Sequence, residues 1–166
     1  MAQQQTDKFL IAIVAGALAL VVTAFLLAQS QPEPVYRTDG TPEGVAHNYL
    51  LALAQSDFER AYGYLSTQIE GHPHSAEAFE ELVLDYSWDF GIDEHGGGEL
   101  QVIDTDTTGN HASVRVRETR FHSRGLFESD QTTHTFRMKL KRENGSWRIR
   151  YAGSYWSHCL TDNSAC

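Results

Sequence analysis

The sequence predicts an α+β protein, with an N-terminal single transmembrane helix followed by helices packed on a curved antiparallel sheet. Three observations carry this. Phe9 to Ala28 is a run of twenty residues without a charge. Segments with helical apolar spacing follow from Thr41 to Tyr86, and from Leu100 onward apolar and polar residues alternate as they do in half-buried strands.

The apolar run would be roughly 30 Å long as a helix, the thickness of a bilayer hydrocarbon core. A cleaved signal peptide is the competing reading, but its apolar region is usually about 7–15 residues long. Lys8 before the run and Arg37 after it favour a cytoplasmic N-terminus, with the rest of the chain exoplasmic or periplasmic. The expected division is a short tail at 1–8, a membrane span at 9–28, a linker at 29–40, a folded domain at 41–156 and a C-terminal tail at 157–166. Ala12, Ala15, Gly16, Ala19 and Thr23 form a small-residue face on the span. Such a face lets another helix approach closely, although Ala-rich anchors are also common.

Thr41-Pro42-Glu43 reads as a helix start, with a hydroxyl cap, Pro in the first turn and an acid beside it. Val45, Tyr49, Leu50 and Leu53 form its apolar stripe. Ser56-Asp57-Phe58-Glu59 has the form of a capping box, opening a helix with Phe58, Ala61, Tyr62 and Leu65 inward. Ser75 starts a third helix lined by Phe79, Leu82, Val83 and Tyr86, and the glycines at 91 and 96–98 end the helical half. Leu100 to Ile103, His111 to Phe121, Thr132 to Arg142 and Trp147 to Tyr151 are the expected strands. Asn144-Gly145 is a strong two-residue hairpin signal. That turn would set Leu140 against Ile149 and Met138 against Tyr151 on the apolar face. On the other face Lys141 would meet Arg148 and Lys139 would meet Arg150.

The helix-pair text TPEGVAHNYLLALAQSDFERAYGYLS, with Tyr49-Leu50, Asp57 and Ala61-Tyr62, resembles the nuclear transport factor 2-like superfamily, as do the aromatic third helix and the strands after it. It is most similar to a small bacterial membrane-anchored branch of uncharacterised function. The resemblance covers about Thr41 to Trp156 and implies a cone with a wide end able to hold a pocket. It also implies frequent sheet-to-sheet dimers, and no single activity.

Composition narrows the functions. The 166 residues include 13 Lys and Arg against 22 Asp and Glu, a net charge of −9, which disfavours nucleic acid as a partner. The charge is segregated: 39–106 hold 15 acids and one base, and 107–166 hold 10 bases and 5 acids. Cys159 and Cys166 are the only cysteines, too few for a Cys-rich metal module. They would close a small C-terminal disulfide loop outside the cytosol, or remain two thiols. His72-Pro73-His74 has no metal-ligand spacing, and no metal or cofactor is expected.

Candidate pocket residues are Tyr49, Tyr62, Asp85, Trp88, Asp89, His134 and Tyr155. An isomerase of such a fold needs a carboxylate base and a Tyr or acid donor that converge, and no motif ties these residues together. Core packing is the ordinary role of such tyrosines, and a lone His on a core face is more often structural. Arg115, Arg117, Arg137, Lys139, Lys141, Arg148 and Arg150 form a candidate interaction face, with a simple solvated face as the plainer reading. The expected function is therefore a non-enzymatic, single-pass membrane protein whose exoplasmic domain is an interaction module. It would be an accessory or assembly subunit, partnered by an integral-membrane protein or by copies of itself. A small-ligand-binding or isomerase-type enzyme is the alternative, and a protein like the type IV secretion assembly factor is a second.

Overall fold

The computed structural model describes residues 3–29, 34–69, 71–87, 90, 99–123 and 129–156. Two units are distinct, Met1–Val35 and Tyr36–Cys166.

In the first unit the backbone of Gln3–Gln29 is one α-helix, α1. Its side chains at positions 10–26 are all exposed, including Ile11 at 67% and Leu20 at 74%. Among the described residues no helix is long and apolar enough to cross a membrane. This corrects the expected transmembrane segment at 9–28 and the cell-membrane localisation drawn from it. Among the described residues nothing lies within 4 Å of a Cβ built on Gly16. Thr23 donates its hydroxyl to the Ala19 carbonyl at 2.7 Å inside the same helix.

The second unit begins at Tyr36, five residues before the expected boundary, because two side chains hold the entering segment. Asn48, fully buried, accepts from the Arg37 amide at 2.7 Å. Its own amide donates to the Arg37 carbonyl at 2.8 Å and to Asp39 at 2.6 Å. The Arg60 guanidinium lies 3.4 Å from the centroid of the Tyr36 ring. Part of the expected linker is thus folded structure.

Helix α2 (Pro42–Ala54) is capped as expected, with the Thr41 hydroxyl accepting from the Gly44 amide. It buries Val45, Ala46, Tyr49, Leu50, Ala52 and Leu53. Helix α3 (Phe58–Tyr64) is capped by Asp57, one residue later than the capping-box reading, since Ser56 turns the chain at φ 56°. Helix α4 (Ala76–Asp85) is capped by Ser75, turns Phe79 and Val83 inward and packs on α3.

Four strands follow in the antiparallel order β1-β2-β3-β4: β1 (Glu99–Thr108), β2 (His111–Ser123), β3 (Ser129–Glu143) and β4 (Ser146–Tyr151). Asn144 and Gly145 both have positive φ, 48° and 87°, which the tight β3–β4 hairpin requires. The inner face carries Ala112, Val114, Val116, Phe136, Met138, Leu140, Trp147 and Ile149, all buried. Helix α2 lies against β1, β2 and β4. The architecture is α+β, as the alternation implied, with its core between the helices and one face of the sheet.

The hairpin register holds near the turn and then slips. Leu140 pairs with Ile149 and Lys141 with Arg148, but Lys139 pairs with Tyr151. A bulge takes up Arg150, so the expected Met138–Tyr151 and Lys139–Arg150 pairs do not form. The bulge turns Tyr151 outward, 42% exposed, with the Lys139 ammonium 5.7 Å from its ring centroid. A like-charge pair is thereby replaced by a cation over an aromatic ring.

Candidate functional site

Among the described residues, the expected pocket residues do not all converge on one site. Asp85 is exposed at the end of α4, and Trp88 and Asp89 lie outside the described residues. His134 is on the inner face by register, opposite Glu118, yet it is exposed. Tyr62 is half-buried and donates its hydroxyl to the Pro73 carbonyl at 3.1 Å.

Tyr49 and Tyr155 do meet, as packing. The Tyr49 hydroxyl donates to the Tyr155 carbonyl at 2.7 Å, and burial pushes its pKa far above the usual tyrosine value. After β4 a short turn at Gly153–Tyr155 brings the C-terminal aromatics back under α2. Tyr155 stacks on Phe136 at 5.2 Å, and the Trp156 ring lies tilted against Phe79 at 5.8 Å. These buried side chains belong to the core of the second unit.

A buried carboxylate escaped the sequence reading. Glu118 is 6% exposed and accepts from the Tyr155 hydroxyl at 3.1 Å and from the Arg120 guanidinium. The alternation that placed Ala112, Val114 and Val116 inward also places Glu118 inward two residues on, so the signal was present. Burial first, and then the Glu118 carboxylate, push the Tyr155 pKa up, so the phenol is held as a neutral donor.

The hollows lined by described residues include two on the second unit. A polar cleft of about 440 Å³ runs between the end of α3 and the β3–β4 turn, with Tyr62, His72, Glu143 and Arg148 in its wall. A shallower one of about 270 Å³ includes His111, Ser113 and Lys139. Neither contains Tyr49, Tyr155 or Glu118. Among the described residues no group of three or more His, Cys, Asp or Glu could hold a metal ion. The proposed Cys159–Cys166 bond lies outside the described residues.

The outer face of the sheet is where the expected residues come together. Arg115 pairs with Asp104 at 2.7 Å, and Arg117 reaches Gln101 at 3.4 Å. Arg148 donates to the Gly63 carbonyl; Arg150 donates to Gln68 at 2.6 Å and lies 3.3 Å from Glu143. These four have local partners. Arg137, Lys139 and Lys141, on alternate positions of β3, have no acidic partner among the described residues. Arg115 stands directly opposite Arg137, and Arg148 directly opposite Lys141. The face is a ladder of three cations flanked by further like charge.

No protein-family model matches the chain, and no curated protein does either. Among solved structures it is similar to RPA3114, a SEC-C motif-containing protein from Rhodopseudomonas palustris. The likeness has 16% identity and a TM-score of 0.46, covering 75% of this chain and 81% of that one. It is also similar to Rv3472, a protein of unknown function from Mycobacterium tuberculosis, at 16% identity and a TM-score of 0.45, over 64% of each chain. A third is a putative calcium/calmodulin-dependent protein kinase type II association domain from Thiobacillus denitrificans. It has 16% identity and a TM-score of 0.46, covering 71% of this chain and 94% of that one. The expected assignment to the nuclear transport factor 2-like superfamily, with its membrane-anchored branch, is corrected to an α+β fold that no family model matches. Function is therefore argued from this chain's own surface.

Proposed function

We propose that this chain is a non-catalytic interaction subunit, which docks an acidic protein surface on the outer face of its sheet. The supporting observation is the unneutralised row Arg137, Lys139 and Lys141, with Arg115 and Arg148 opposite it in register. Like charges directly opposite on a sheet cost up to about 1 kcal/mol per pair. An acidic partner converts that repulsion into attraction and speeds encounter at low salt. The accessory or assembly role expected from the sequence is kept, without the membrane span.

The enzyme alternative has one observation in its favour, the buried Glu118 carboxylate with a tyrosine hydroxyl on it. It lacks a described cavity at that carboxylate, and the neighbouring core is packed with Tyr49, Phe136, Tyr155 and Trp156.

A direct test uses a twelve-residue acidic helical peptide with Glu at every fourth position, titrated against the full chain. Binding should be saturable and weaken steeply with salt, and Arg137→Gln/Lys139→Gln/Lys141→Gln should abolish it. Equal binding by that triple variant, with its fold shown intact by circular dichroism, overturns the reading.

A further inference from the structure

The structure points to a second copy of this chain as an occupant of the cationic ladder. We propose that the exposed acidic ridge of α4 in one copy docks on Arg137, Lys139 and Lys141 of the next. The proposal rests on the reading of the sheet face as a docking surface and names what docks there.

The two ladders match in spacing. Arg137, Lys139 and Lys141 project from alternate positions of one strand, so the first and last lie about 13 Å apart at 3.3–3.4 Å per residue. Glu77, Glu81 and Asp85 follow one another at four-residue intervals on α4, all exposed. At 1.5 Å per residue that ridge spans about 12 Å. Three acids and three bases thus come in two ladders of matching step, and each acid can meet a base without bending either element.

Each ladder is self-repelling alone. Acids four apart on a helix oppose one another, as do the facing cations of the sheet. Glu80 adds a further negative charge to the α4 ridge, and the described residues give no cation to Glu77, Glu81 or Asp85. An apolar contact is available beside the charges. Leu84 is 53% exposed next to the acids, and Tyr151 is 42% exposed opposite Lys139.

The copy's own α4 does not cover its ladder, since Arg137 and Lys139 remain exposed and α4 packs on α3. Different patches of the two copies meet, so the contact is head-to-tail. Such contacts propagate into open chains or close into a ring.

Lys139 and Lys141 are the only lysines from Tyr36 to Cys166, which makes carbodiimide coupling a clean reporter. Full-length chain labelled with nitrogen-15 is mixed with unlabelled chain at low salt and coupled. The expected products are mixed-isotope crosslinks joining Lys139 or Lys141 to Glu77, Glu81 or Asp85. Sedimentation should show association growing with concentration. It should weaken by about tenfold or more between 0.05 and 0.5 M salt, as the screening length falls from roughly 14 to 4 Å. A sheet variant (Arg137→Gln/Lys139→Gln/Lys141→Gln) and a helix variant (Glu77→Gln/Glu81→Gln/Asp85→Asn) should each stay monomeric. Mixed, they should give a complex that stops at two copies, since one matching pair of faces remains. Unchanged self-association of the helix variant, or a wild type that stays monomeric, overturns the proposal. If the acidic peptide still binds the wild type in that case, the docking reading survives and only the identity of the occupant falls. If the peptide also fails to bind, the docking reading falls with it.

Discussion

Tyr155 joins three parts of the chain through its two polar atoms and its ring. Its carbonyl accepts from Tyr49 of α2, its hydroxyl donates to Glu118 of β2, and its ring stacks on Phe136 of β3. Tyr155→Phe keeps the packing and leaves Glu118 with Arg120 alone. The expected cost is about 1–2 kcal/mol, read as a lower midpoint in urea unfolding. A pH effect follows as well. The Tyr155 pKa in the folded state lies above the usual value of about 10, so its contribution is complete below that pH. It is lost as pH rises through the folded value, because the unfolded chain gives up the proton first. Tyr49 acts in the same direction. The thermal midpoint should fall above pH 10, and less steeply in Tyr155→Phe than in the wild type. Parallel pH profiles for the two proteins would exclude Tyr155 as a source.

At the scale of elements, two glycines mark where backbone geometry is demanding. A Cβ on Gly44 would sit 2.0 Å from the Thr38 carbonyl oxygen, where the entering segment crosses the start of α2. Gly44→Ala must push that segment off Asn48, and a loss of about 3 kcal/mol or more is expected from the clash and the broken bonds. Gly145 has open space around it but φ at 87°, so Gly145→Ala should cost only about 1–2 kcal/mol through the backbone. Chemical denaturation of the two variants checks the order; equal losses would contradict it. The helix caps at Thr41 and Ser75 and the Asn144-Gly145 turn were legible in the sequence because each depends on a few adjacent residues. The bulge at Arg150 was not, since it depends on where β4 meets the chain turning back at Ala152. The Tyr36–Asp39 entry was missed for the same reason: its partner, Asn48, lies a helix turn inside α2.

Across the whole folded unit, strand alternation was legible in the sequence and the C-terminal turn was not. Periodicity tells which residues of a strand share a face, so all seven cations were placed on one surface. It cannot tell that the C-terminal turn brings Tyr155 and Trp156 back into the space between sheet and helices. Trp156, 1% exposed, is expected to cost about 3–5 kcal/mol on substitution by Ala, which would show the aromatics at the chain's end to be core. A loss below 1 kcal/mol would mean that the space tolerates being empty, and would reopen the pocket reading.

The central claim, that the outer sheet face is covered by an acidic protein surface, is tested most directly by lysine footprinting. Acetylation rates of Lys139 and Lys141 are compared between the native assembly in gently prepared extract and the isolated chain, with Lys8 as internal reference. Both lysines should react more slowly in the assembly and regain the isolated rate when salt is raised to 0.5 M. Equal rates in the two preparations would contradict the claim.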